Sequence, residues 1–213
     1  MSAIKVLLTL VLVLASSSLY AESAEESTLV EVKELSFAIN KPADWHFFQP
    51  LNKPLAQESP SLAALLAHYA KTPVVALSKF PADYAQDINP NVRVTLKPVN
   101  RPLNKEAVEA EDPVNLLNGI VTSLKPVFQD FKQSGKVQGV QLAGCHAAFA
   151  RISYKMQLVA GGQTRGNSDL WLVMPRKDYV FLVSGVTRED QGNAQREELQ
   201  AIVETIKIKA LQN

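Results

Sequence analysis

The sequence predicts an α+β domain in which helices flank a mostly antiparallel sheet, and three observations predict it. Ten of the twelve prolines fall between Pro42 and Pro113, so that half is built of short segments joined by turns. A strongly periodic apolar segment runs from Asp112 to Phe131. From Val137 to Val186 the chain is rich in β-branched and aromatic residues with glycine punctuation, and an amphipathic segment closes it. Strands clustered apart from helices in this way belong to the layered α+β class.

Taken in order, Leu35, Phe37 and Ile39 alternate with polar or small residues over Val32 to Ile39, the period of a half-buried strand. Asn40 to Asp44 reads as a turn and Trp45 to Phe48 as a second strand, which is expected to pair with the first as a hairpin. Ser59 as N-cap, Pro60 and good helix formers to Ala70 predict a helix of about three turns. Val74 to Phe80 and Val92 to Lys97 read as strands. Asp112-Pro113 then opens the main helix. At about 100° per residue, Leu116, Leu117, Ile120, Leu124, Val127, Phe128 and Phe131 share one arc, the shape of a stripe that docks on a sheet. Pro126 is expected to kink this helix, and Ser134-Gly135 to end it. Four strands follow as an antiparallel meander: Val137 to Leu142, Ala147 to Val159, Thr164 to Met174 and Tyr179 to Val186, with Gly161-Gly162 and Pro175 to Asp178 as turns. Thr187, Glu189 and Asp190 mark a helix entry, and Leu199, Ile202, Val203 and Ile206 form the apolar face of the last helix.

Residues 1–21 have the build of a signal peptide: Lys5, the apolar run Val6 to Ala15, and a small-residue exit ending at Ala21. A membrane-spanning helix needs about 20 apolar residues, roughly twice this run. Residues 22–29 read as a flexible leader and residues 30–213 as a single domain. The expected location is therefore periplasmic or secreted, with no stable membrane anchor in the mature form. Formal net charge is +1, and loss of Lys5 leaves basic and acidic residues in balance, which argues against nucleic acid as a partner. The broken basic series Arg93, Lys97, Arg101 and Lys105 is followed by acidic residues and reads as solvated loop charge.

The stretch Phe37-Ala-Ile-Asn-Lys-Pro-Ala-Asp-Trp45, the pattern Gly144-x-x-Ala147-x-Phe149, the central helix, the meander and the terminal helix together carry a resemblance. The chain resembles the superfamily of the photosystem II extrinsic protein PsbP and the Ran-binding protein Mog, which includes bacterial DcrB-like envelope proteins. The resemblance implies an α/β/α sandwich without intrinsic catalysis, used to dock onto or assemble larger complexes. It transfers no site residue. DcrB-like proteins typically carry a lipid on a cysteine at the cleavage point, and the single cysteine here is Cys145.

Chemistry-bearing patterns are sparse. One cysteine closes no internal disulfide and makes no C-x-x-C pair, and Cys145 among small apolar neighbours reads as a buried thiol, with a reactive thiol as the alternative. His46, His68 and His146 lie on different elements with no paired histidine nearby, and the strand neighbours Cys145 and His146 point to opposite faces, so no metal site is assigned. H-E-x-x-H, P-loop, G-x-G-x-x-G and G-x-S-x-G signatures are missing. Asp44, Trp45 and His46 together would offer a carboxylate, a ring and an imidazole, but Trp45 is expected to plug the core, with Asp44 satisfying turn amides. Glu197, Glu198 and Glu204, with Arg196 and Lys207, read as the solvated face of the last helix.

No catalytic, cofactor-binding or metal residue is assigned on this basis, and no cofactor is expected. The leading expectation is a non-enzymatic accessory or binding protein of the cell envelope with a protein partner. Two alternatives stand beside it. One is a carrier of a small apolar or amphiphilic ligand held between the stripe at Leu116 to Phe131 and the sheet. The other is a small hydrolase pairing a histidine with Ser153, Ser168 or Ser184.

Overall fold

A computed structural model describes residues 27–51, 61–84, 87–99, 112–158, 161–190 and 193–209. The expected signal peptide, residues 1–21, lies outside them, as do Ser59, Pro60, Arg101 and Lys105. Eleven strands and three α-helices are formed among the described residues. The strands are β1 (Thr28–Val32), β2 (Phe37–Lys41), β3 (His46–Phe47), β4 (Val75–Ser78), β5 (Asn91–Pro98), β6 (Lys132–Gln133), β7 (Gln138–Leu142), β8 (Cys145–Gln157), β9 (Gln163–Met174), β10 (Tyr179–Arg188) and β11 (Lys207–Ile208). The helices are α1 (Leu62–His68), α2 (Pro113–Leu124) and α3 (Ala194–Glu204).

All strand pairs are antiparallel. An eight-stranded sheet runs β3-β4-β5-β10-β9-β8-β6, with β7 also on the outer edge of β8, and a small sheet runs β1-β2-β11. The expected meander is present. Its tightest connection is Ala143-Gly144 between β7 and β8, where both residues have positive φ (53° and 74°), as a two-residue hairpin turn demands. Gly161 and Gly162, at φ 93° and 88°, connect β8 to β9 as their sequence predicts.

Three expectations for the N-terminal elements are corrected. The hairpin of the first two strands does not form: β2 pairs with β1 and β11 in the small sheet, whereas β3 pairs with β4 in the large one. A one-turn 3-10 helix at Lys33–Leu35 and a left-handed Ser36 (φ 49°) interrupt the expected first strand, so Thr28 and Leu29, read as leader, belong to β1. The first helix is two turns capped by Ser61, whose hydroxyl accepts from the Ala64 amide at 3.2 Å.

The central helix stops at Leu124 instead of bending through Pro126. Proline has no N–H to donate to Thr122, whose carbonyl takes the Lys125 amide at 3.3 Å instead, a tightened last turn. The chain then turns through Asp130 (φ 51°) into β6. Val127, expected on the apolar stripe, is consequently 69% exposed. The helix start holds as expected: the Asp112 carboxylate accepts from the Val114 amide at 3.0 Å. At the far end, β10 continues through Thr187 to Arg188, so the expected helix entry at Thr187 is strand, and α3 begins at Ala194.

Alternation along β8, β9 and β10 divides the core in two. Ala148, Ala150, Ile152, Leu170, Leu172 and Val180 meet Leu117 and Val121 of α2. Ala147, Trp171, Val173, Phe181 and Val183 meet the other cluster, with Leu199, Ile202 and Val203 of α3, Phe37 and Ile39 of the small sheet, Leu65 and Trp45. The α2 stripe therefore docks on the sheet as the periodicity predicts.

Candidate functional site

The faces of the large sheet are covered unequally. Helix α3 packs mainly on β10, β5 and β2. It approaches closely at Gly185, where a Cβ would lie 3.1 Å from Leu199 Cδ2. Towards β8 and β7 the sheet continues past the helix, and there a groove of about 280 Å³ opens. Val140, Gln141 and Leu142 of β7 form one side of it, Phe149 and Arg151 of β8 with Trp171 of β9 form the floor, and Gln200, Val203 and Glu204 of α3 form the opposite wall.

The floor is built from two adjacent cross-strand pairs. Phe149 faces Trp171 in the β8–β9 register, with ring centroids 5.2 Å apart and planes at 44°, a favourable tilted geometry. Two residues along each strand, on the same face, Arg151 faces Asp169. This pair is bidentate, Nε donating to Oδ1 at 2.6 Å and Nη2 to Oδ2 at 2.7 Å. The Arg151 guanidinium also lies 5.5 Å from the Phe149 ring centroid. The bonds to Asp169 raise the guanidinium pKa above its already high ordinary value, outweighing burial. Both charges are thus committed to each other, so the groove presents a rigid aromatic surface with a fixed polar edge, suited to binding and orienting.

Glu204 closes the helix wall. Its carboxylate accepts from the Gln200 side chain at 2.9 Å, and no basic residue lies in the last turn of α3, where the helix dipole favours a cation. A second groove, of about 460 Å³, lies on the outer side of the small sheet beside Leu29, Glu31, Lys33, Lys207 and Lys209.

The residues singled out from sequence are dispersed. Trp45 is 1% exposed and plugs the core as expected. Asp44 does not serve mainly the turn; it pairs with Lys79, which draws its carboxyl below the usual range. His46 is exposed, so the three consecutive residues form no common site. Glu198, read as solvated, accepts from Trp45 Nε1 at 2.9 Å and from Lys79 Nζ at 2.6 Å, which ties α3 to the first turn. Asp190, read as part of a helix entry, instead pairs with Arg188 at the end of β10, which also pairs with Asp87.

His68 stands edge-on to Tyr69, and His146 Nδ1 lies 3.4 Å from Gln141 Nε2. Ser168 bonds Tyr154 at 2.8 Å, and Ser153 accepts from Arg165 at 3.2 Å. No histidine reaches Ser153, Ser168 or Ser184 by a hydrogen bond among the described residues, so the triad has no geometric basis there. Cys145 is half-buried, and burial pushes its thiol pKa up, away from reactivity. At the α2 seam named by the carrier alternative, Leu117 and Leu172 are buried in the same apolar cluster, at 0% and 1% exposure.

Arg151, Asp169 and Trp171 were not singled out from the sequence. The sequence signal is partial: Arg151 interrupts the apolar stretch Ala147 to Ile152, whereas Asp169 follows the polar Asn167-Ser168 and does not stand out on its strand.

No family model matches the sequence, and no curated protein sequence matches it. Solved structures do. LpqN of Mycobacterium tuberculosis, described as involved in cell envelope biogenesis, is similar over 86% of this chain and 91% of its own, at 16% identity and a TM-score of 0.51. The cyanobacterial PsbP of Synechocystis sp. PCC 6803 is similar over 90% of this chain and 98% of its own, at 9% identity and a TM-score of 0.52. The chain has a PsbP-like fold. The Ran-binding protein Mog1p of Saccharomyces cerevisiae is also similar, over 86% of this chain and 96% of its own, at 10% identity and a TM-score of 0.45.

Proposed function

We propose that this protein is an exported accessory protein of the cell envelope that acts by docking a protein partner and performs no chemistry of its own. The observation that carries the reading is the groove beside α3. Its aromatic floor is partly open, Phe149 being half-buried and Trp171 9% exposed, and its strongest charges, Arg151 and Asp169, hold one another instead of facing a reacting atom. The fold shared with an envelope-biogenesis protein supports the setting, and the signal-like segment at residues 1–21 supports export to the periplasm or medium, with cleavage near Ala21. In this reading residues 30–213 are one domain in an α/β/α sandwich, with α2 as one outer layer and α3 with the small sheet as the other. The mature form has no membrane anchor, no cofactor and no nucleic-acid partner.

A photocrosslinking residue introduced at Gln200 in the exporting host tests this. The expected result is a discrete adduct in the envelope fraction, absent when the crosslinker sits at the exposed Ala63 of α1, from a protein whose mature N-terminus lies near Glu22. Identical adducts from both positions would remove the docking reading. A full-length chain retained in the cytosol would remove export.

A further inference from the structure

Sheet edges expose unpaired backbone groups, and natural proteins protect them by shortness, charge or proline. Among the described residues most edges here follow that rule: β3, β6 and β11 are two residues each, and β1 carries Glu31. The exception is β7, five residues long, Gln138-Gly-Val-Gln-Leu142, with no charge and no proline. It pairs with β8 alone, so its outer side has no strand partner among the described residues.

The register fixes which groups that side offers. The hairpin closes at Leu142 and Cys145, and the closing pair of a two-residue hairpin exchanges both backbone bonds. Alternation then turns the N–H and C=O of Leu142, Val140 and Gln138 towards β8, and those of Gly139 and Gln141 outward. The same phase continues along β8, where the Arg151 carbonyl accepts from the Ser134 amide and the Lys155 amide donates to the Gln129 carbonyl on that side. This outward pattern is its own complement. In an antiparallel pairing centred on Val140, Gly139 of each copy stands opposite Gln141 of the other and exchanges both bonds with it, while the two Val140 residues form the closer, non-hydrogen-bonded pair between them. The side chains agree. Half-buried Val140 meets its own counterpart, Leu142 meets Gln138, and the space beside Gly139 takes the Gln141 side chain. A two-fold axis at this edge brings any charge on β7 close to its own copy, and β7 carries none.

We propose that two copies of this chain associate through β7, edge to edge and antiparallel about a two-fold axis at Val140, joining their large sheets into one. Such an axis stands perpendicular to the sheet, so both α3 faces lie on the same side and the two grooves flank the seam. A five-residue edge buries less than the roughly 1,200–2,000 Å² of a stable interface, so the dimer is a weak, exchanging one. This goes beyond the docking reading and does not depend on it.

Sedimentation velocity of the purified, exported protein, over a concentration series to about 0.5 mM so that weak association is populated, tests the proposal. Wild type is expected to shift from monomer towards dimer. Gln141→Pro should weaken association roughly tenfold or more, because it removes an outward N–H and leaves the bonds to β8 in place. Gln141→Lys should do the same by repulsion, and mixing it with Gln141→Glu should restore a dimer, since the two side chains then attract across the seam. In a Cys145→Ser background, Val140→Cys is expected to give a disulfide-linked dimer on oxidation, whereas Gln138→Cys, which faces Leu142 of the second copy, should not. Thermal melts matching wild type establish that each variant is folded. A wild-type monomer throughout the series, or a dimer that Gln141→Pro and Gln141→Lys leave unchanged, would overturn the inference and leave the docking reading intact.

Discussion

The Arg151–Asp169 pair is the residue-scale feature on which the groove depends. Asp169 has a side chain only 8% exposed and Arg151 one 29% exposed, so neither partner has full access to water if the other is removed. Asp169→Ala is expected to cost on the order of 2–3 kcal/mol, at the low end for a broken buried pair because Arg151 keeps some solvent. Arg151→Met combined with Asp169→Leu should recover most of that loss, since an apolar pair leaves no orphaned charge. Urea denaturation of the two variants checks both statements. A similar logic applies to Glu198, which joins Lys79 and the Trp45 indole to α3. Trp45→Phe keeps the buried ring but removes one hydrogen bond, and should lower stability by about 1 kcal/mol in the same assay. Composition and spacing identified Trp45 as a core plug. They did not identify its partner, because Glu198 lies 153 residues away and its local sequence is that of an ordinary helix surface.

At the scale of elements, close approach between α3 and the sheet is set by Gly185. An added Cβ would meet Leu199 Cδ2 at 3.1 Å, with Trp171 also near at 3.6 Å. Gly185→Ala should therefore push the helix away from β10 and destabilise by about 1–2 kcal/mol, the usual range for overpacking. Leu199→Ala, costly alone, should be less costly in the Gly185→Ala background, and a double-mutant cycle by thermal melting reads this coupling. The end of α2 carries a different lesson. The apolar period continues past Pro126 to Phe131, which made one long helix the natural reading. Phe128 and Phe131 do reach the same core, and Phe128 stacks on Tyr154 at 4.0 Å between centroids, but they do so from a turn. Periodicity reports which side chains must be buried; it does not require that the backbone between them stay helical.

For the whole molecule, buried phenols set a stability limit at high pH. Burial raises the pKa of Tyr69, which donates to Glu34 at 2.8 Å, and burial likewise raises Tyr154 and Tyr179. A folded-state pKa above the ordinary value of 10 means the native state holds protons that the unfolded chain releases. The associated stability is complete below pH 10 and is lost as pH rises through the folded values. Each such tyrosine contributes a slope of up to about 1.4 kcal/mol per pH unit in that window. Lys79 acts in the same direction: burial alone would lower its pKa, but its bonds to Asp44 and Glu198 outweigh that and raise it. Urea midpoints should therefore fall as pH rises above 10, and Tyr69→Phe should flatten that fall.

Local pattern by itself determined the kinds of element and much of their order: the antiparallel meander from β7 to β10, its glycine turns, the Asp112 cap of α2, and the apolar faces of α2 and α3. These follow from sterics and periodicity within a few residues, which a sequence displays directly. Tertiary structure alone decided that β2 joins β1 and β11 instead of β3, that Glu198 reaches Trp45, and that α3 leaves the β7–β8 flank open as a groove. Those outcomes depend on contacts between distant residues, such as the 2.9 Å bond from the Asn40 amide to Thr205 across 165 positions. Such pairings are chosen by competition among surfaces of the assembled chain, and no single segment carries the energy difference that selects one.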